Sequence, residues 1–199
     1  MGGLRGVHKE GTVLLFGVAI PEYNVPMAQE LDERRRCVVV TISESYVAET
    51  DASGALVAQR LRDAGHEVLQ QRWLKDDLLS IRYLVRSWVD DDRVDVIVAI
   101  GGTGLDSTDV TPEAIAPIIS KQMPGFGEIF RFMAFERLGM SALESRAMAA
   151  VCHSTLVYLI PGDPTAVELA MDRLIVPQLG ERIPTERLTP TMMPKRRSP

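Results

Sequence analysis

Cysteine and histidine are scarce in this sequence, and several common kinds of reactive centre are scarce with them. There are two cysteines and three histidines in 199 residues. Two cysteines are too few for a disulfide scaffold. Cys37 and Cys152 lie at the edges of apolar runs, where buried reduced thiols are expected. No Cys/His spacing suits a metal site, and His8, His66 and His153 pair with no nearby nucleophile in a catalytic motif. Positive charge is short as well. The net charge of −5 argues against nucleic acid as a partner, because such binding is largely phosphate neutralisation. It leaves room for a small anion held by backbone amides and a few arginines. Long apolar runs are missing too: Val13 to Ile20 offers about eight residues, far short of a membrane span. Arg5 and Lys9 give that run the outline of a signal peptide, but Pro21-Glu22-Tyr23 is a poor cleavage context. The expected location is the cytoplasm, with no membrane partner.

What is present is an ordinary globular composition, 46% hydrophobic and 25% charged, in a chain long enough for one domain with a real core. Residues 1–35 lack a sustained period and read as an N-terminal extension. Residues 36–180 read as the domain. Residues 181–199, with Pro184, Pro190, Pro194 and Pro199 around Lys195-Arg196-Arg197, read as a loosely ordered tail.

Within the domain, Cys37 to Ile42 reads as a buried strand and Ser43 to Thr50 as a polar loop. A helix starts at Asp51, with Leu56, Val57, Leu61 and Ala64 on one face and Gly65 closing it. Glu67 to Leu74 is a less apolar strand, suited to a sheet edge. Asp76 and Asp77 end that strand and cap a helix whose face is Leu78, Ile81, Val85 and Trp88 or Val89. Val94 to Ile100 is a third buried strand. After Pro112 a helix runs to about Lys121, and Met123 to Glu128 breaks it. A further helix covers about Glu128 to Leu138, and a short one starts in Ser141 to Ala149. Ser154 to Ile160 is a strand. The last helix buries Val167, Ala170, Met171, Leu174 and Ile175. Strands alternating with helices, each crossover long enough for parallel pairing, indicate an α/β fold: a three-layer α/β/α sandwich on a mostly parallel, doubly wound sheet.

The chemistry concentrates in Val94 to Pro112, VDVIVAIGGTGLDSTDVTP. A buried strand runs into Gly101-Gly102-Thr103-Gly104, where glycines let backbone N–H groups approach a ligand. Asp106 and Asp109 follow. Thr111-Pro112-Glu113 has the form of a helix start, with a hydroxyl at the cap. This is how open α/β sheets hold phosphates at the carboxyl ends of their strands. The loop is not a P-loop, because no Gly-Lys-Ser/Thr occurs. The dinucleotide fingerprint is incomplete, because Ser107 stands where glycine or alanine is needed. Asp76 and the Pro161-to-Pro164 turn fall on the same rim. Two aspartates beside a phosphate loop suit a Mg²⁺-nucleotide, and Arg131 and Arg146 are candidates to neutralise phosphate charge. A tight turn remains the alternative for the glycines, capping for Asp109 and Ser145, and a surface ion pair for Arg146.

In order, Gly101 to Gly104, Asp109-Val110-Thr111-Pro112-Glu113-Ala114, Pro124-Gly125-Phe126-Gly127-Glu128, Ser145-Arg146 and Pro161-Gly162-x-Pro164 resemble the motifs of the MoaB/MogA family. These are the molybdopterin adenylyltransferases of molybdenum cofactor biosynthesis, similar also to domains of gephyrin and of plant molybdenum insertases. The resemblance spans about Cys37 to Gly180, and the phenylalanine-rich segment after the PGFGE motif looks closer to the MoaB branch. It implies the molybdopterin-binding fold and Mg²⁺-ATP-dependent adenylylation of molybdopterin, with release of pyrophosphate and transfer of the product to a molybdenum-insertion protein. It implies a homo-oligomer, leaving trimer and hexamer open, and leaves molybdenum and tungsten open as the eventual metal. Asp76 and Asp109 match the two catalytic, Mg²⁺-holding aspartates, with Asp77 the alternative to Asp76. Gly101, Gly102, Thr103, Gly104 and Ser107 match the nucleotide loop. Ser145 and Arg146 match a segment near the phosphates and pterin; Glu128, Pro161 and Gly162 match the pocket wall. Phe126, Phe130, Phe132 and Phe135 read as packing or oligomer surface. Relatives that bind the pterin without turnover make a non-catalytic carrier of the same fold the alternative reading.

Overall fold

The computed structural model describes residues 12–15, 18–21, 34–44 and 51–180. The chain divides into two compact units, Met1–Glu30 and Leu31–Pro199. In the first, β1 (Thr12–Leu15) and β2 (Val18–Pro21) pair antiparallel, a hairpin that the lack of period in this region did not lead one to expect. The tail beyond residue 180 and most of the Ser43-to-Thr50 loop lie outside the described residues.

The second unit is built on a six-stranded sheet. Its strands are β3 (Arg36–Ile42), β4 (Glu67–Leu74), β5 (Val96–Ile100), β6 (Lys121–Met123), β7 (Met148–Cys152) and β8 (Thr155–Ile160), in the order β4-β3-β5-β8-β7-β6. The first four are mutually parallel. β7 alone runs the other way, between β8 and β6. β4 is at the edge, as its polar pattern requires. β3, β5 and β8 are buried on both faces and read as continuous apolar runs for that reason.

Alternate residues of these strands feed two cores. Val39, Val98, Ile100, Tyr158 and Ile160 meet α1 (Ala52–Asp63), α4 (Pro124–Leu138) and α6 (Pro164–Ala170) on one face. Val38, Val40, Ile97, Ala99 and Leu159 meet α2 (Leu78–Val89) and α3 (Thr111–Ile115) on the other. Helices on both faces of a mostly parallel sheet make the three-layer α/β/α architecture. α1 starts where Asp51 accepts a hydrogen bond from Gly54 N at 2.8 Å, and Gly65 follows its end at φ +83°. α2 buries Ile81, Val85, Trp88 and Val89, the face expected from its spacing. A π-helical turn, Met171–Ile175, joins α6 to α7 (Val176–Gly180).

Between β5 and β8 the elements differ from the sequence expectation. The helix after Pro112 stops at Ile115 and tightens into a 3₁₀ turn, Ala116–Ile118; it does not reach Lys121. Lys121–Met123 pairs with β7 as a strand. Pro124 to Glu128 does not break a helix but begins α4, with proline in the first turn, where its missing N–H costs nothing. α5 is only Ser141–Glu144, and Met148 to Cys152 is a buried strand, not helix. Alanine-rich MAAVC has helical propensity, which burial between two strands overrides.

Candidate functional site

The parallel strands β3, β4, β5 and β8 release their chains at one edge, so the loops after Leu74, Ile100 and Ile160 converge there. Gly101 N donates to Ile160 O at 2.9 Å, tying the glycine loop to the end of β8. Gly101 and Gly102 take φ of +97° and +62°, the region that disfavours side chains. A Cβ on Gly101 would stand 2.1 Å from Ile42 O. One on Gly102 would stand 2.2 Å from Thr111 Oγ1 and 2.3 Å from Asp76 Oδ1, and one on Gly104 2.5 Å from Asp109 Oδ2. The glycines are therefore the space into which both aspartates fit.

Asp76 and Asp77 are separated by their partners. Asp77 caps α2, accepting from Ser80 N at 2.7 Å, and hydrogen bonding with the Ser80 side chain first, then its backbone, holds the exposed carboxyl below the usual range. Asp76 turns to the loop. Its Oδ1 is buried with no hydrogen-bond partner among the described residues. Burial first, then the charges of Asp109 and Glu44, push its carboxyl up to about 6. Asp109 is not a helix cap: its Oδ2 accepts from Asp106 N at 3.0 Å, while Asp109 N donates to Asp106 O at 2.9 Å. Thr111 is not the cap either. Val110 occupies that position without a side-chain bond. The fully buried Thr111 hydroxyl donates to Gly101 O at 2.9 Å, and Thr111 N donates to Gly102 O at 3.0 Å.

Beside the loop lies a cavity of about 500 Å³ lined by the loop from Gly102 to Asp106, Asp109, the floor residues Phe130, Leu138 and Ala142, and the Pro161-Gly162-Asp163 turn, with Ser141, Glu144, Ser145 and Ala166 completing it. Asp76 lies outside this lining, against Gly102. Among the described residues, the lining carries the carboxylates of Asp106, Asp109, Glu144 and Asp163 and no basic side chain. A phosphate entering here meets backbone amides and needs a cation to offset the acids.

The two arginines proposed for phosphate are occupied elsewhere. Arg131 donates to Ser145 O and Ala147 O at 3.3 and 3.2 Å. Arg146 donates to Gly104 O and Asp109 O, each at 2.7 Å, and pairs with Glu113. Ser145 lines the cavity, and its hydroxyl accepts weakly from Ala147 N at 3.3 Å. Ser107 and Glu128 are exposed and do not line the cavity.

Sequence reasoning missed Ser53, whose hydroxyl donates to Gly162 O at 3.0 Å and holds the turn after β8. Only the topology brings those residues together. It also missed Asp163, which caps α6 through Ala166 N at 3.0 Å. There the signal was available, an Asp directly before a proline at a helix start.

The residues fit a magnesium ion. Among the described residues no cluster of three or more His, Cys, Asp or Glu could hold a metal alone. Magnesium takes one or two carboxylates and completes its shell with water and substrate phosphates, and a buried carboxylate oxygen without a partner is available at Asp76.

A glycine loop and paired carboxylates on the rim of such a sheet define a class of ligand-binding α/β domain, and residues 38–181 match the family model described as "Probable molybdopterin binding domain". The chain is 42% identical over 153 residues to molybdenum cofactor biosynthesis protein B of Bacillus subtilis, covering 76% of this chain and 90% of that one. It superposes on a crystal structure of molybdenum cofactor biosynthesis protein B with a TM-score of 0.73 at 40% identity, covering 78% and 96% of the two chains. The molybdopterin biosynthesis enzyme MoaB of Thermus thermophilus matches with a TM-score of 0.62 at 26% identity, over 73% and 96%. This chain belongs to the molybdenum cofactor biosynthesis protein B family, MoaB. Among its described residues no helix is long and apolar enough to cross a membrane.

Proposed function

We propose that the protein adenylylates molybdopterin at the expense of Mg²⁺-ATP. The observation that carries this reading is the buried, partnerless Asp76 Oδ1 against Gly102, with Asp109 held against Gly104 in the same loop. A terminal phosphate oxygen of molybdopterin attacks the α-phosphorus of ATP. The bond to the β-phosphate bridge breaks, and pyrophosphate leaves. No protein nucleophile is required, since a phosphomonoester is already mostly dianionic at neutral pH. Positioning and charge stabilisation are what such a transfer needs. Asp76 and Asp109 would hold magnesium, which supplies charge neutralisation at the phosphates. The loop amides of Gly101 to Gly104 orient the phosphates, and the Phe130-Leu138-Ala142 floor gives the cavity an apolar wall for a flat heterocycle.

The product would pass to a molybdenum-insertion protein, and the chain would act as a homo-oligomer. The exposed apolar side chains Ile129, Phe132 and Phe135 of α4, between 50 and 54% exposed, are what supports assembly. The test of activity is molybdopterin-dependent pyrophosphate release from Mg²⁺-ATP, compared with Asp109→Ala. Release that the variant loses supports the enzyme. A folded wild type that binds the pterin and releases none points to a carrier.

A further inference from the structure

The excursion Leu105 to Thr108 leaves the sheet rim at Gly104 and returns at Asp109. A single side chain bridges its two ends. Arg146 Nε donates to Gly104 O and its Nη2 to Asp109 O, both at 2.7 Å. Arg146 N donates to Thr103 O at 3.0 Å, so main chain and side chain grip consecutive points of the same loop. Glu113, in the first turn of α3, balances the guanidinium charge through Nη1.

Arg146 is itself held from beneath. Arg131, on α4, donates to the carbonyls of Ser145 and Ala147, the residues on either side of it. The path runs from α4 through residues 145–147 to the loop, and so to the Asp109 carboxylate.

We propose that Arg146 is a positioning residue: it clamps the base of the Leu105-to-Thr108 excursion and so sets where Asp109 stands relative to Asp76, while making no contact with phosphate. Its charge is spent on two carbonyls and a carboxylate, and it is absent from the cavity lining. The role needs a planar fork, because two carbonyls are reached from two different nitrogens. Lysine keeps the charge but offers one nitrogen, so Arg146→Lys should behave like Arg146→Ala.

The kinetic half of the test rests on the adenylyl-transfer reading; the structural half does not. In Arg146→Lys, exchange of the Asp106 and Asp109 amides, which close the loop on each other, should speed up by roughly tenfold or more, with β5 amides unchanged. Pyrophosphate release should fall in kcat by about 100-fold, with KM for ATP within about twofold of wild type. Arg131→Lys should give the same signature in weaker form, and guanidinium ions in solution should partly restore Arg146→Ala. Unchanged loop exchange in Arg146→Lys would overturn the clamp. So would near-normal kcat in the lysine variant with a raised KM for ATP in the alanine variant, which marks a phosphate contact. If wild type releases no pyrophosphate, the activity reading fails, and the exchange measurement still decides the clamp.

Discussion

Asp76 is a carboxylate kept where a carboxylate is uncomfortable. Its neighbours are a glycine loop, a second aspartate and Glu44, and burial contributes most to its raised proton affinity. The sign follows from linkage. A group whose carboxyl rises from 3.8 to about 6 binds more protons folded than unfolded, so stability falls as pH rises through that interval. Asp76→Asn should therefore stabilise the protein at pH 7 by roughly 1–2 kcal/mol, after discounting for partial exposure, and the gain should vanish below about pH 4. Thermal denaturation at the two pH values measures this. The same variant should lose activity, a stability–function trade-off. Metal binding requires the ionised carboxylate. In wild type at low Mg²⁺, kcat/KM should rise with pH through about 6, and raising Mg²⁺ should move that limb to lower pH. A limb that ignores Mg²⁺ would remove Asp76 from the metal site.

At the scale of elements, the turn after β5 and the helix α4 each do two jobs. Gly101 and Gly102 share positive φ but not their surroundings. Alanine at Gly101 meets the backbone carbonyl of Ile42, which cannot move without moving β3, so Gly101→Ala should cost roughly 3 kcal/mol or more. Alanine at Gly102 meets the side chains of Thr111 and Asp76. These can shift, so that variant should retain more stability and lose more activity. Urea denaturation beside pyrophosphate release separates the two; equal stability losses would sink the distinction. α4 faces the core through Phe126, Phe130 and Ala134. Phe130 is fully buried and forms the cavity floor, so Phe130→Ala should cost about 3–5 kcal/mol. Phe132 and Phe135 are half exposed on the same helix, and replacing either should change the stability of a single chain by less than about 0.5 kcal/mol.

At the scale of the whole molecule, those exposed phenylalanines are what supports the proposed assembly. Ile129 of α4, Leu143 of α5 and Met140 just before α5 are exposed apolar side chains as well, and a large exposed apolar patch is a mark of an interaction surface. Sedimentation should find the wild type as a trimer or hexamer and a Phe132→Asp, Phe135→Asp double variant as a smaller, folded species. A monomeric wild type would sink the homo-oligomer.

The layered α/β architecture was legible because the buried strands β3, β5 and β8 are continuous apolar runs and the intervening helices α1 and α2 carry one-sided faces with capping aspartates. Local chemistry dictates those features. The convergence of Asp76, the glycine loop and Pro161-Gly162 followed from the parallel order alone, since parallel strands end on one edge. The β6-β7-β8 meander was not legible. Lys121 to Met123 has no apolar pattern, Met148 to Cys152 favours helix, and the hairpin joining β7 to β8 turns through His153 at φ +54° without the Asn-Gly signal such turns usually show. Strand pairing decided these segments, and pairing is a contact between distant residues. The same holds for the arginines. A sequence shows that a guanidinium is available; only the folded chain shows that the acceptors within reach of Arg146 are the carbonyls of Gly104 and Asp109 and the carboxylate of Glu113.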